Sequence, residues 1–177
     1  YEKQIGETIS NSSVGSEYDV TLTDAVFTDS FEGIDTDSIG EKTDFSHLID
    51  KNGNEIKITP DMAISVKWSE VEAAEEEYNE AFLAKLRDSL KTFESEEKYV
   101  FIEPVYDKNA NPGQFTATMK HTSRRIKDCL SVIGFAIPNE IAEDKVVVDD
   151  FIEKISEKHP HYVYFSKINC GENIILY

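Results

Sequence analysis

The chain has 177 residues, with 18 Lys and Arg against 35 Asp and Glu, a net charge of −17 at pH 7. Apolar residues make up 40% and charged residues 30%, a globular composition at a length that suits one domain. This charge repels phosphate backbones and anionic lipid surfaces, and no apolar run approaches the ~18 residues of a membrane span, so no nucleic-acid partner and no membrane insertion are expected.

Tyr1, not Met, opens the sequence. Residues 2–16 are rich in Ser, Asn and Gly and lack apolar periodicity, which suits a flexible tether. Residues 1–17 are therefore set apart from a single α/β domain over 18–177. A tether behind a removed leader points to a secreted or surface-anchored protein; a frayed terminus is the other reading.

Tyr18 to Thr23 alternates and predicts a strand. Asp24 to His47 is acidic and holds Gly33 and Gly40, which predicts a long loop with room for one turn of helix. Within it, Asp35-Thr-Asp37-Ser-Ile-Gly40 begins like a calcium loop, but Ile39 takes a ligand position and Ser46 stands where a bidentate Glu is needed. Leu48 to Ile58 predicts a hairpin turning at Asn52-Gly53.

Strand and helix then alternate. Ala63–Trp68 is an apolar strand, and Phe82, Leu83, Leu86, Leu90 and Phe93 predict a helix over Asn79–Ser95. A strand at Tyr99–Ile102 precedes a helix over Pro112–Asp128, and Pro138 stops the next strand, Ser131–Ile137. Val148, Phe151, Ile152 and Ile155 mark a third helix ending near Lys158, and strands come next at Tyr162–Phe165 and Ile174–Tyr177. Such alternation implies βαβ units and a mainly parallel sheet. The expected fold class is α/β, an incomplete (β/α) barrel-like sheet with helices, about half of the roughly 250-residue eight-unit barrel. Lys167 to Asn173 is too short for a crossover helix, which predicts an antiparallel C-terminal edge strand.

Cys129 falls after a helix and Cys170 after a strand, at opposite edges of such a sheet, so both are expected to be unpaired. His47, His121, His159 and His161 lack metal-ligand spacing, and there is no phosphate-cradling glycine loop and no nucleophile elbow. No metal and no cofactor are expected.

Ile64-Ser-Val-Lys-Trp68-Ser-Glu-Val-Glu72, followed by Tyr78 and Leu83-Ala-Lys-Leu-Arg87, resembles a segment of the cellulase-type (β/α)8 glycoside hydrolases. Tyr99-Val-Phe-Ile-Glu103-Pro104 is similar to that family's following strand, and Val132-Ile-Gly-Phe-Ala-Ile-Pro-Asn139-Glu140 to its strand ending in Asn-Glu. The resemblance covers residues 63–141. It implies Glu140 as general acid/base and Asn139 as a sugar-binding residue at a strand end. The chain departs from the family in lacking room for the later strand that carries the second carboxylate. It also has Ile141 where Pro is frequent and no His after Ile102.

Glu103 and Glu140 end different strands at one sheet edge, where Glu103 or Asp107 could serve as base to Glu140 as acid. Trp68 and Tyr106 are candidate sugar platforms, with Trp68 partly buried against the loop holding Tyr78 as the alternative placement. The preferred reading is a carbohydrate-binding, non-catalytic descendant of a glycosidase. An active glycosidase, within one chain or completed by a second half-barrel in a homodimer, is the alternative, and a scaffold domain without a sugar site the third. The glycosidase ancestry requires Trp68, Glu103 and Glu140 around one hollow and Asn139 outside a helix.

Overall fold

The computed structural model describes residues 20–23, 47–50 and 52–177, with backbone alone for 20–23 and 47. The expected tether, the acidic stretch 24–46 and its calcium-like segment lie outside the described residues.

Strands β1 (Val20–Thr23), β2 (His47–Asp50) and β3 (Glu55–Ile56) form an antiparallel sheet in that order. Gly53 sits at φ 85 in the β2–β3 turn, as the Asn52-Gly53 pair predicts. A 3-10 turn at Pro60–Met62 leads into β4 (Ala63–Lys67), a one-turn helix α1 (Trp68–Val71) and a small hairpin of β5 (Glu72–Ala74) and β6 (Glu77–Tyr78). Next come α2 (Glu80–Ser95), β7 (Val100–Val105), α3 (Pro112–Arg125), β8 (Val132–Ile137) and the one-turn α4 (Asn139–Ala142). The last elements are α5 (Lys145–Ser156), β9 (Val163–Ser166) and β10 (Ile174–Leu176). Side-chain caps start the long helices. Asn79 accepts from the Phe82 N–H at 3.0 Å, Asn111 from Gln114 at 2.9 Å and Asp144 from Val146 at 3.1 Å, each satisfying a donor the helix leaves unpaired.

The main sheet keeps chain order, β4-β7-β8-β9-β10, and every pair is parallel. One face packs Val66, Ile102, Phe135 and Tyr164 against Leu83 and Leu90 of α2, Phe115 and Met119 of α3, and Phe151 of α5. The other face packs Phe101, Ile133, Ala136, Val163 and Phe165 against Leu48, with Ile56, Ile58 and Met62 around it. Burial on both faces is why the β8 segment is continuously apolar. The sheet stays open, with β4 and β10 as its edges, and the N-terminal hairpin region covers the face that a closed barrel would turn inward.

The antiparallel C-terminal strand is corrected: β10 runs parallel to β9, with Ile174 opposite Tyr164 and Leu176 opposite Ser166. A parallel return normally takes a dozen or more residues because the chain must travel back the length of a strand. Here it returns only from Ser166 to the level of Tyr164, about 7 Å at strand rise. Residues 167–173 cover that distance without a helix, and Asn173 turns at φ 65.

A bulge in β8 sets the register of its C-terminal half, which leads into Asn139 and Glu140. Val132 lies opposite Val100 and Phe135 opposite Ile102, so β8 spends one more residue than β7 over the same span. At Gly134 the β8 backbone lies so close to β9 that an added Cβ would meet the Val163 carbonyl oxygen at 1.7 Å. Among the described residues, no helix is long and apolar enough to cross a membrane.

Candidate functional site

β7 and β8 end side by side at the C-terminal edge of the sheet, the edge where parallel sheets bind ligands. A hollow of about 200 Å³ opens there, lined by Glu103, Tyr106, Asn139, Glu140, Lys167 and Tyr177. It is smaller than the roughly 300–1,000 Å³ of drug-sized sites, which suits one small ring better than a chain of them.

Glu103 stands on the same side of β7 as buried Phe101, because side chains two apart share a face. Its carboxylate accepts from the Ser65 hydroxyl at 3.2 Å and from the Tyr177 hydroxyl, and Lys167 Nζ lies 3.5 Å away. Burial pushes this carboxyl up, but Tyr177, Lys167 and Ser65 together outweigh it and hold the group below the usual carboxylate range. Glu103 is an ionised acceptor with its near neighbours already engaged. Tyr177 is the converse case: burial first, then the Glu103 charge, push its phenol far up, so it remains a donor.

Asn139 and Glu140 are exposed and open helix α4. The strand-end setting that the resemblance implies for them is corrected. Pro138 has no N–H to give a ladder, and its carbonyl accepts from the Ile141 N–H at 3.1 Å, which starts a helical turn. Ile141 and Ala142 are thereby buried while Asn139 and Glu140 reach the hollow. Glu140 makes no hydrogen bond or ion pair with the described residues. Tyr106 donates from its hydroxyl to the Ala110 carbonyl at 2.9 Å, and its ring packs on Trp68 and Phe115 at 4.9 and 4.8 Å. Burial raises its phenol, and the nearby Glu140 charge adds to the effect.

Two expected site residues are not in the hollow. Trp68 is fully buried, not an exposed platform. Trp68, predicted as the last residue of the strand, instead opens the helical turn Trp68–Val71, so Trp68 and Val71 face the core and Ser69 and Glu70 face out. The indole packs on Phe115 at 5.3 Å and donates to Glu72 at 2.7 Å. Asp107 is not available as a base at the hollow. It accepts from the Ser69 N–H at 2.9 Å and from the Ser69 hydroxyl at 2.5 Å, tying the loop after β7 to α1. The requirement that Trp68, Glu103 and Glu140 share one hollow therefore fails at Trp68 and holds for the two carboxylates, and the requirement that Asn139 lie outside a helix fails as well, because Asn139 opens α4.

Sequence reasoning missed Glu72, which is 1% exposed. Its carboxylate accepts from Trp68, from Gln114 at 2.8 Å and from the Glu76 N–H at 2.9 Å, with Lys108 Nζ 3.4 Å away. Burial pushes Glu72 up, and Gln114, Glu76, Trp68 and Lys108 bring it below its ordinary value. The spacing of the only tryptophan four residues before a glutamate was the available signal. Lys167 and Tyr177 were also missed, because they reach Glu103 from the far strands. Among the described residues no group of His, Cys, Asp and Glu side chains is placed to hold a metal ion.

Comparison with known proteins returns no match to a family model, to a curated protein or to a solved structure.

Proposed function

We propose that the hollow at the C-terminal edge of the sheet binds a carbohydrate without cleaving it. The observation that carries this reading is the convergence of Glu103, Tyr106, Asn139 and Glu140 on one small space, with Glu103 already occupied by Tyr177, Lys167 and Ser65. A carboxylate, an amide and a ring suit the hydroxyls and the face of a sugar.

Hydrolysis needs a carboxylic acid that can give a proton and a second, free carboxylate. The Glu103 carboxylate is engaged by Tyr177, Lys167 and Ser65, and Asp107 is bound to Ser69, so Glu140 has no free partner in the hollow among the described residues. Calorimetric titration with mono- and oligosaccharides, run beside an assay for released reducing ends, tests the proposal. Heat of binding without release is expected. Turnover lost in Glu140→Gln would establish a glycosidase instead, and no binding by any glycan would leave a scaffold domain.

A further inference from the structure

The balance of charge in the hollow points to more than a neutral ring. Glu103 has a cation at 3.5 Å in Lys167, whose ammonium also lies 5.6 Å from the Tyr177 ring centre. Glu140 has no such partner among the described residues, and it stands at the rim beside the Tyr106 ring, close enough to raise that phenol. The chain as a whole carries −17, which favours cationic over anionic ligands in general.

Resting on the carbohydrate reading, we propose that the ligand is an amino sugar: its ring lies between Tyr106 and Asn139, and its ammonium pairs with Glu140. An ammonium satisfies the open carboxylate with a charge-assisted hydrogen bond, which is stronger than one from a sugar hydroxyl. Lys167 stays on Glu103, so an anionic sugar would meet two carboxylates and, among the described residues lining the hollow, one cation, already shared. A neutral sugar would leave the Glu140 charge unbalanced.

The test is calorimetry at neutral pH with glucosamine, N-acetylglucosamine, glucose and propylamine as probes. Glucosamine is expected to bind about threefold more tightly than glucose or the N-acetyl form, because acetylation removes the charge while keeping the ring and an exposed ion pair adds only a few-fold to affinity. In Glu140→Gln, with an unchanged unfolding midpoint as the fold control, the glucosamine-to-glucose affinity ratio is expected to fall to about one. Glucose binding as tightly as glucosamine would overturn the amine assignment and leave the carbohydrate reading standing. Propylamine matching glucosamine would reduce the effect to simple cation attraction and overturn the amino-sugar class. Binding by none of the three sugars would overturn the amino-sugar assignment, and only failure of the whole panel of mono- and oligosaccharides would remove the carbohydrate reading with it.

Discussion

The hydroxyl of Tyr177 donates to the carboxylate of Glu103 across the two strands, β8 and β9, that separate β10 from β7. The Tyr177 ring lies edge-on to Phe101 at 4.9 Å and to Phe165 at 6.4 Å, so it packs on the sheet while its tip reaches the hollow. A single side chain thus joins the edge of the sheet to the site. Tyr177→Phe keeps the ring and removes the donor. It is expected to cost about 1 kcal/mol of stability and to raise the Glu103 carboxyl. Because the folded carboxyl lies below its unfolded value, its contribution is present above about pH 4.3 and is lost as pH falls through the folded value. Urea unfolding at pH 7 and pH 3 should show the variant closest to the parent at the lower pH. Carbon-detected NMR titration of Glu103 reads the shift directly.

Glu72 anchors the other carboxylate network. Glu72→Ala strands the Trp68 indole N–H, the Gln114 amide and the Lys108 ammonium around an uncompensated gap, at a cost of about 3 kcal/mol. Glu72→Gln keeps an acceptor for some of these donors and is expected to lose less. Urea midpoints of the two variants check the order, and equal losses would contradict the view that unpaired donors set the cost.

His159 makes acid stability measurable at mild pH. The ring is buried, stacks on Tyr162 at 4.3 Å and bonds through Nε2 to the Ser123 carbonyl at 3.0 Å, which requires Nε2 to carry the proton. Burial and the adjacent His161 push it down to about 4. The unfolded imidazole protonates near pH 6.5, so between that value and about 4 the unfolded state binds more protons and stability falls with acidification. A loss of about 2 kcal/mol between pH 7 and pH 5 is expected, largely absent in His159→Phe. Urea unfolding at the two pH values provides the comparison.

The thiols should differ in reactivity. Cys129 is buried, and burial together with the Asp128 charge pushes it up to about 12, while Cys170 is half-buried. Disulfide reagents react with the thiolate, so the native protein is expected to show one prompt thiol and a second only on unfolding. Two prompt thiols, or none in denaturant without reductant, would contradict this placement.

Much of the fold is legible from the residues. Apolar spacing around Leu83, Leu86 and Leu90 defines α2, with Asn79 as its cap, and the alternation of strand and helix implies the parallel order of β4, β7, β8 and β9. The direction of β10 is not, because the crossover length a parallel return needs holds for full-length strands and β10 pairs along three residues only. The turn at Trp68–Val71 is also hidden. Ile64 to Trp68 alternates like a strand, and only the partners of the indole, distant in the chain except for Glu72, reveal that it faces the core. For the site, Glu103, Tyr106, Asn139 and Glu140 are legible as residues at or just after the ends of two neighbouring strands, although Asn139 and Glu140 belong to the helical turn that follows β8. Lys167 and Tyr177 depend on how far the sheet brings its last strands toward β7, a long-range property without a local pattern.

Amide-resolved NMR titration with glucosamine tests the central claim most directly. Saturable shifts confined to Tyr106, Asn139, Glu140, Lys167 and their neighbours, with the sugar chemically unchanged afterwards, are the predicted result. Shifts scattered over other surfaces, or none up to high millimolar sugar, would contradict it.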